Sequence, residues 1–163
     1  MSSLLSNSMY TGNPLAAPPN IDPTKIILPK HDPTKCSTKR NGIIRAYAAN
    51  TNQGIIRNYN EDRVSIILNI MKPANKQCDK WPKCSFFGVY DGHGGASCAD
   101  YLRDNLHHFV VKDDAFPQDP REALKNGFAK AEQSFLEQAE KKAQTNPALL
   151  DKSGSCAVAI LLV

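Results

Sequence analysis

Residues 63–70 alternate between apolar and mostly polar side chains. The apolar positions are Val64, Ile66, Leu68 and Ile70. Because successive side chains of a β-strand point to opposite faces, this period of two predicts a strand with one face buried. A second strand is predicted at residues 85–90, which are rich in aromatic and β-branched side chains. The polar residues 71–84 between them then form a long connection, so we expect the two strands to pair like a hairpin.

Two helices are predicted after the second strand. The first has apolar residues at three- and four-residue spacing, namely Cys98, Leu102, Leu106 and Phe109. The second begins with Asp119 as a cap, Pro120 at the first helical position and Glu122 completing a start similar to a capping box. Its predicted buried residues are Leu124, Phe128, Ala131 and Phe135. We expect it to end near Asn146-Pro147.

Residues 155–163 are almost entirely apolar, which is typical of a strand buried on both faces. A short apolar stretch at residues 43–49 is predicted as a further strand before the one at residues 63–70. The predicted order of three strands, two helices and a strand is that of an α+β layered domain. A central strand needs hydrogen-bonding neighbours on both sides, and only the earlier strands are available here. The pattern therefore predicts a domain that is incomplete at its C-terminus.

The first 40 residues differ in composition from the rest. Six of the eleven prolines lie between Pro14 and Pro33, and proline removes the backbone donors that helices and central strands need. We therefore predict a flexible, basic extension over residues 1–40 and a folded domain over residues 41–163. That domain opens with a short apolar stretch at residues 43–49, which ends at a turn-forming segment.

Charge and cysteine usage exclude several classes of protein. The net charge of +4 comes entirely from residues 1–50, because the remaining residues carry equal numbers of acids and bases. A nucleic-acid-binding face is not indicated. The five cysteines are an odd number without C-x-x-C spacing, which argues against a disulfide framework and a structural zinc site. With no apolar run long enough for a bilayer and no signal-peptide layout, we expect a monomeric, intracellular, cytoplasmic protein.

The segment Asp91-Gly92-His93-Gly94-Gly95 lies between a predicted strand and a predicted helix. Its glycines permit unusual backbone torsions, so the turn can present the Asp91 carboxylate together with nearby carbonyl oxygens. Oxygen ligands suit Mg²⁺ or Mn²⁺. The competing interpretation is an ordinary surface turn, for which Asp and Gly are common residues.

A second polar cluster, residues 57–62, precedes the first of the paired strands. In a hairpin-like pair the start of one strand lies beside the end of the other, so Glu61 and Asp62 are predicted near Asp91. Three carboxylates at close range need a cation or a proton among them. Arg57 could offer a planar fork of donors to a phosphate, or could be a solvated surface arginine.

Three motifs in this order resemble the metal-dependent serine/threonine protein phosphatases of the 2C type. They are Arg57-x-x-Asn60-Glu61-Asp62, Phe86-Phe87-Gly88-Val89-Tyr90-Asp91-Gly92-His93-Gly94-Gly95 and Ser153-Gly154-Ser155-Cys156-Ala157. The third departs from the usual family pattern, since Cys156 stands where threonine is common. The resemblance covers about residue 43 onward and implies an α-β-β-α layered sandwich.

The resemblance also implies a role for each matching residue. Asp91 matches the carboxylate that bridges two Mg²⁺ or Mn²⁺ ions, and Gly92 matches a carbonyl ligand of one of them. Glu61 and Asp62 match an acidic pair that holds the metal or its waters. Arg57 matches the arginine that grips substrate phosphate, and His93 matches the proposed general acid. The implied reaction is dephosphorylation of phosphoserine and phosphothreonine in proteins, with a role in signalling.

Family members continue beyond this segment to further aspartates that complete the second metal site, and those aspartates are not in this sequence. The alternative is therefore a truncated, catalytically inactive phosphatase-like binding module. Two acidic pairs, Asp100 with Asp104 and Asp113 with Asp114, are predicted to be solvated. A serine-hydrolase loop or a nucleotide-binding loop is disfavoured, because G-x-S-x-G is absent and the glycine spacing fits neither nucleotide motif.

Overall fold

A computed structural model describes residues 33–163 of the chain. The strands are β1 (Lys35–Ser37), β2 (Tyr47–Ala49), β3 (Arg63–Ile67), β4 (Ser85–His93) and β5 (Gly154–Leu162). The helices are α1 (Ser97–Lys112), α2 (Pro120–Thr145) and a 3₁₀ turn at Pro147–Leu149. The α+β class that the sequence predicts is confirmed.

The strands form two antiparallel sheets. β1 pairs with β2, and the larger sheet has the order β3-β4-β5. The predicted hairpin-like pairing is confirmed, with Arg63 opposite Tyr90 and Ile67 opposite Phe86. β5 pairs with β4 along its whole length, from Ser85 opposite Leu162 to His93 opposite Gly154. The motif that begins at Ser153 therefore lies beside the end of β4.

Helix α1 packs on one face of the larger sheet, and α2 packs against α1. Phe86 and Tyr90 of β4 point to this face and are fully buried, together with Leu106 and Val110 of α1. The opposite face stays open to solvent over much of its area in the described part of the chain. Val158 and Ile160 of β5 are 70% and 55% exposed. The prediction that this strand is buried on both faces is therefore wrong, because helices cover only one of them.

The buried face of β3 also differs from the prediction. Ser65 is buried and its hydroxyl donates to the Arg103 carbonyl of α1 at 3.1 Å. Val64 and Ile66 lie on the other face, where they line a cavity of about 200 Å³ next to β2. The alternation correctly predicts a strand, but periodicity does not determine which face of the strand the helices cover.

The start of α2 agrees with the sequence prediction in detail. The Asp119 side chain accepts a hydrogen bond from the Glu122 backbone N–H at 3.0 Å, and Pro120 is the first helical residue. The helix ends at Thr145, directly before Asn146. This cap satisfies one of the backbone donors that a helix start leaves free.

Of the four residues predicted to be buried on α2, Ala131 is fully buried, Leu124 and Phe135 are partly buried, and Phe128 is not buried. The residues of α2 that are buried are all small. These residues are Ala123, Gly127, Ala131 and Ala139. A Cβ at Gly127 would collide with Val110 of α1, so the two helices approach closely at this point. Phe128 is 36% exposed. Small side chains permit the close approach, and the larger apolar residues beside them move to the edge of the contact.

Most of the predicted N-terminal extension, residues 1–32, lies outside the described residues. Within the part that is described, Lys35–Ser37 pairs with Tyr47–Ala49, so the last residues assigned to the extension form a strand. Of the predicted apolar stretch at residues 43–49, only Tyr47–Ala49 is a strand. Over residues 33–163 no helix has the length and hydropathy needed to cross a membrane.

Candidate functional site

The start of β3 and the end of β4 lie at the same end of the larger sheet. Arg63 is opposite Tyr90, so continuing this antiparallel register by one residue sets Asp62 beside Asp91, and by two residues it sets Glu61 beside Gly92. Gly92 is buried, and a Cβ added there would collide with the Glu61 carbonyl oxygen. The two segments that the sequence analysis singled out are thus in direct contact. We call residues 60–62 the acidic turn and residues 91–95 the glycine loop.

Glu61 joins the acidic turn to the glycine loop through its side chain. Its Oε1 atom accepts a hydrogen bond from the Gly95 backbone N–H at 2.6 Å and another from the Tyr59 hydroxyl at 3.3 Å. Its Oε2 atom lies 3.6 Å from Nη1 of Arg57, and the carboxylate side chain is mostly buried. A charge-assisted bond to a backbone donor holds this carboxylate more firmly than a neutral contact would.

The predicted turn is confirmed only in the second half of the glycine loop, because Asp91–His93 continue β4. Gly94 and Gly95 have φ values of 67° and 127°, where residues with a Cβ are strained. The positive torsions turn the chain from β4 into α1 within a few residues. They also aim the Gly95 N–H at Glu61, so the same glycines form the turn and provide the contact to the acidic turn.

Asp91 and His93 lie on the solvent-exposed face of β4, opposite Cys156 and Gly154 of β5. The His93 imidazole covers Gly154 so closely that a Cβ there would collide with its Nε2 atom. Glycine is therefore needed at position 154 for His93 to keep this orientation. The third sequence motif thus meets the second through a packing contact between its glycine and the histidine.

The loop before β5 is fastened to the start of α1. The Ser153 hydroxyl oxygen accepts a hydrogen bond from the Cys98 N–H at 3.0 Å and donates to Asp151 at 2.7 Å. Burial raises the pKa of the Asp151 carboxyl, but hydrogen bonds from Ser153 and Ser97 and the charge of Lys142 together outweigh this effect, so the net pKa is lowered. A groove of about 660 Å³, lined by His93 and Ser153 among others, runs between this loop and α2.

Arg57 is a largely exposed residue of the predicted site. Its side chain is 74% exposed, and its ion pair with Glu61 is long. The guanidinium is therefore available for a further anion at the edge of the acidic turn. Asp62 is half-buried, and its backbone N–H donates to the Asn60 side chain at 2.9 Å.

A residue that the sequence analysis missed holds the acidic turn in place. Nη1 of Arg63 donates to the carbonyl oxygens of Asn60 and Asp62, at 2.7 and 2.8 Å. Nε and Nη2 of the same side chain donate to the two carboxylate oxygens of Asp100, at 2.7 and 3.2 Å. The prediction that Asp100 is merely solvated is therefore wrong. Arg63 shares a face of β3 with buried Ser65, and a charged side chain on a helix-covered face is a signal that it has a partner.

Asp113 is a second acidic residue whose predicted exposure is wrong. It is 3% exposed, and its carboxylate accepts hydrogen bonds from Lys130 at 2.6 Å and Asn126 at 3.1 Å. It lies at the C-terminal end of α1, far along the helix from the glycine loop. These contacts show a structural role, because they join α1 to α2.

Oxygen donors dominate the acidic turn and the glycine loop. The donors are the carboxylates of Asp91, Glu61 and Asp62 and the Gly92 carbonyl, a set that fits Mg²⁺ or Mn²⁺ better than softer metals. Across residues 33–163, however, no three His, Cys, Asp or Glu side chains lie close enough to share one ion. The three carboxylates are neighbours along the sheet end, but the Glu61 carboxylate is turned toward Gly95 rather than toward a common centre.

Comparison with known proteins connects this geometry to a family. The sequence model described as "Protein phosphatase 2C" matches residues 50–163, which include all three motifs. The chain belongs to the protein phosphatase 2C family. The resemblance seen in the sequence is thereby confirmed, and the acidic turn and the glycine loop both lie within the matched region.

Individual relatives give the extent of this similarity. The chain is 33% identical over 114 residues to "Probable protein phosphatase 2C 42" of Oryza sativa subsp. japonica, covering 70% of this chain and 30% of that protein. It is 37% identical over 82 residues to "Protein phosphatase 2C homolog 2" of Aspergillus flavus, covering 47% of this chain and 19% of that protein. The chain therefore spans less than a third of the length of these phosphatase 2C relatives.

Among solved structures, the crystal structure of serine-threonine phosphatase 2C from Toxoplasma gondii matches 63% of this chain and 39% of its own length. The sequence identity is 14% and the TM-score is 0.42.

Proposed function

We propose that this chain is part of a metal-dependent serine/threonine protein phosphatase that acts on phosphoproteins. Membership of the protein phosphatase 2C family supports the phosphatase activity. The observation that carries the proposal for the site is the contact between Gly92 and the Glu61 carbonyl, because these residues belong to two segments rich in oxygen donors.

Asp91, the Gly92 carbonyl, Glu61 and Asp62 are the proposed ligands of Mg²⁺ or Mn²⁺, with two ions in a complete site. When bound, such ions neutralise charge on a phosphate ester and lower the pKa of water enough to make it a nucleophile. The bond to Gly95 uses Oε1 of Glu61, so Oε2, which has only a long ion pair with Arg57, is the atom proposed to bind the ion. The hydrogen bond from Gly95 would also keep the carboxylate oriented while it binds.

Arg57 is the proposed ligand of the substrate phosphate. A guanidinium matches two phosphate oxygens with two parallel N–H donors, and the exposure of Arg57 leaves it accessible to a protein substrate. His93 is the proposed general acid that donates a proton to the departing serine or threonine oxygen. Histidine is the side chain that most often serves as a general acid, and contact with Gly154 restricts the orientation of this ring.

The test is release of phosphate from a phosphothreonine peptide in the presence of Mn²⁺. Asp91→Asn should lower this activity by about 100-fold or more, because Lewis-acid charge stabilisation is worth several kcal/mol. Asp104→Asn is the matched control, since Asp104 is an exposed acid that pairs with Arg103 on α1 and should have little effect. Full activity in Asp91→Asn would refute the metal assignment.

A second candidate is a phosphatase-like binding module without turnover. The observation that favours it is that no three potential ligand side chains converge within the described range 33–163. Calorimetric titration with Mn²⁺ distinguishes the two. Mn²⁺ binding that depends on Asp91 but is not accompanied by phosphate release would support the module, whereas Mn²⁺-dependent turnover would exclude it.

A further inference from the structure

Arg63 connects the acidic turn to α1 through four hydrogen bonds. Two go to the carbonyl oxygens of Asn60 and Asp62, and two go to the carboxylate of Asp100. The side chain is about three-quarters buried. A guanidinium has five N–H donors in a fixed plane, so this arrangement uses nearly all of them. Few other side chains could satisfy both partners at once.

The two carbonyl contacts bracket Glu61. Because Nη1 donates to the carbonyl oxygens of the residues on either side of Glu61, the Asn60–Glu61 and Asp62–Arg63 peptide groups are held relative to β3. Asn60 adds to this, since its side chain accepts from the Asp62 N–H at 2.9 Å and donates to Thr51 at 2.7 Å. The directions in which Glu61 and Asp62 leave the backbone therefore depend on a network in which Arg63 makes the most bonds.

Asp100 supplies the other end of the connection. It lies in the first turn of α1, directly after the glycine loop. Its Oδ1 atom also pairs with Arg103 at 2.8 Å, so one carboxylate receives two arginines. Of these two arginines, Arg63 also donates to carbonyl oxygens of the acidic turn. The pair Arg63–Asp100 thus ties the helix that follows the glycine loop to the turn that faces this loop.

We propose that Arg63 is a positioning residue for the candidate metal site. Anchored on Asp100, its guanidinium fixes the backbone of the acidic turn so that Glu61 and Asp62 face the glycine loop. This inference rests on the proposed function, because it takes Glu61 and Asp62 as ligands of Mg²⁺ or Mn²⁺.

The test compares Mn²⁺ affinity in the metal-stripped full chain by isothermal titration calorimetry. Arg63→Lys keeps the charge, but an ammonium cannot reproduce the planar fork to Asp100 and both carbonyl contacts. We expect the Mn²⁺ dissociation constant to rise about tenfold or more, as when residues that orient metal ligands are changed. Arg103→Lys is the matched control. Arg103 also pairs with Asp100, but its other side-chain partner is Asp104 on α1 rather than the acidic turn. We expect its dissociation constant to stay within about twofold of wild type, as for a surface ion pair.

Each comparison is made at a temperature where circular dichroism shows both variants folded, so that a loss of stability alone leaves the dissociation constant unchanged. Equal Mn²⁺ affinity in folded Arg63→Lys and wild type would overturn the inference. If Arg63→Lys does not fold, Asp100→Asn takes its place. It should weaken Mn²⁺ binding, and unchanged affinity in this variant would likewise overturn the inference.

Asp91→Asn separates this inference from the proposed function. If wild type binds Mn²⁺ in an Asp91-dependent manner and Arg63→Lys binds equally well, only the positioning role fails. If wild type does not bind Mn²⁺, or if Asp91→Asn binds it as tightly, the proposed metal site fails and the positioning role fails with it.

Discussion

Single residues in this chain show how burial changes the role of a charge. Asp113 is almost completely buried, and it is stabilised by Lys130, Asn126 and the Ala115 N–H. Burial raises the pKa of its carboxyl, but these hydrogen bonds outweigh that effect, so the net pKa is below the ordinary value. The folded state therefore favours the charged form of Asp113. The charged carboxylate stabilises the fold at pH values above the pKa that Asp113 has in the unfolded chain, and this stabilisation is lost as the pH falls through its lower pKa in the folded chain.

Removing Lys130, which donates to the buried Asp113 carboxylate, should lower the stability of the folded chain. We expect Lys130→Met to lower the free energy of unfolding by about 1–2 kcal/mol at neutral pH, because it leaves a buried carboxylate short of a donor. Urea denaturation measures this change. The difference from wild type should shrink as pH falls below about 4, where Asp113 becomes protonated in the unfolded chain and then in the folded one.

Lys125→Met is the control for this prediction. Lys125 lies on the same helix and pairs with Glu122, but both side chains are exposed. Its loss should cost no more than about 0.5 kcal/mol. Equal costs for the two variants would contradict the role assigned to the buried Asp113 carboxylate.

At the scale of elements, the sequence predicted most of what depends on local chemistry. The cap of α2 at Asp119 and the turn at Gly94 and Gly95 follow from side-chain types at known offsets, and both are present. The bond between Arg63 and Asp100 joins residues 37 positions apart. Such a contact depends on which face of β3 the helices cover, and periodicity alone does not determine that face. Of the small residues buried on α2, the sequence predicted Ala131 but not Ala123, Gly127 or Ala139, because their burial depends on the close approach of the partner helix.

Helix α1 carries a histidine that is sensitive to pH. The Nδ1 atom of His107 is buried without a hydrogen-bond partner. Burial, and then the nearby His108, lower the pKa of His107 to about 4, with smaller opposing effects from Asp104 and further lowering by Lys112. The folded chain therefore keeps this ring neutral at pH values where the unfolded chain protonates it.

This difference predicts a loss of stability on acidification. The free energy of unfolding should fall as pH decreases from about 6.5 to about 4, because the unfolded state takes up a proton first. We expect the contribution of His107 to be roughly 2 kcal/mol, a value reduced for the partial exposure of the ring. In His107→Leu the decrease between pH 7 and pH 5, measured by urea denaturation, should be smaller than in wild type. An identical decrease would show that His107 is not responsible.

The molecule as a whole has one helix-covered sheet face and one open face over residues 33–163. The open face presents Val89, Val158 and Ile160, each more than half exposed. β5 is an edge strand of nine residues, and its residues carry no charge. Edge strands and apolar patches of this kind favour association with other apolar surfaces. The sequence predicted the apolar strand, but its exposure follows from the layers that are present around it.

Polar substitutions on the open face should therefore be tolerated. We expect the double variant Val158→Thr/Ile160→Thr to keep the free energy of unfolding within about 0.5 kcal/mol of wild type, as for exposed positions generally. It should also bind less of the hydrophobic dye ANS. Ala157→Thr is the control, because Ala157 packs against the core and a larger polar side chain there should cost about 1–3 kcal/mol. A large loss of stability in the double variant would contradict an open face.

The central claim is that the acidic turn and the glycine loop form one cation site. The most direct measurement follows the backbone amide signals of the isotope-labelled chain by NMR during titration with paramagnetic Mn²⁺. We expect the signals of residues 60–63 and 91–95 to broaden together at low Mn²⁺ concentration, and this effect to disappear in Asp91→Asn. Broadening of only one of the two segments, or joint broadening that persists in Asp91→Asn, would contradict the claim.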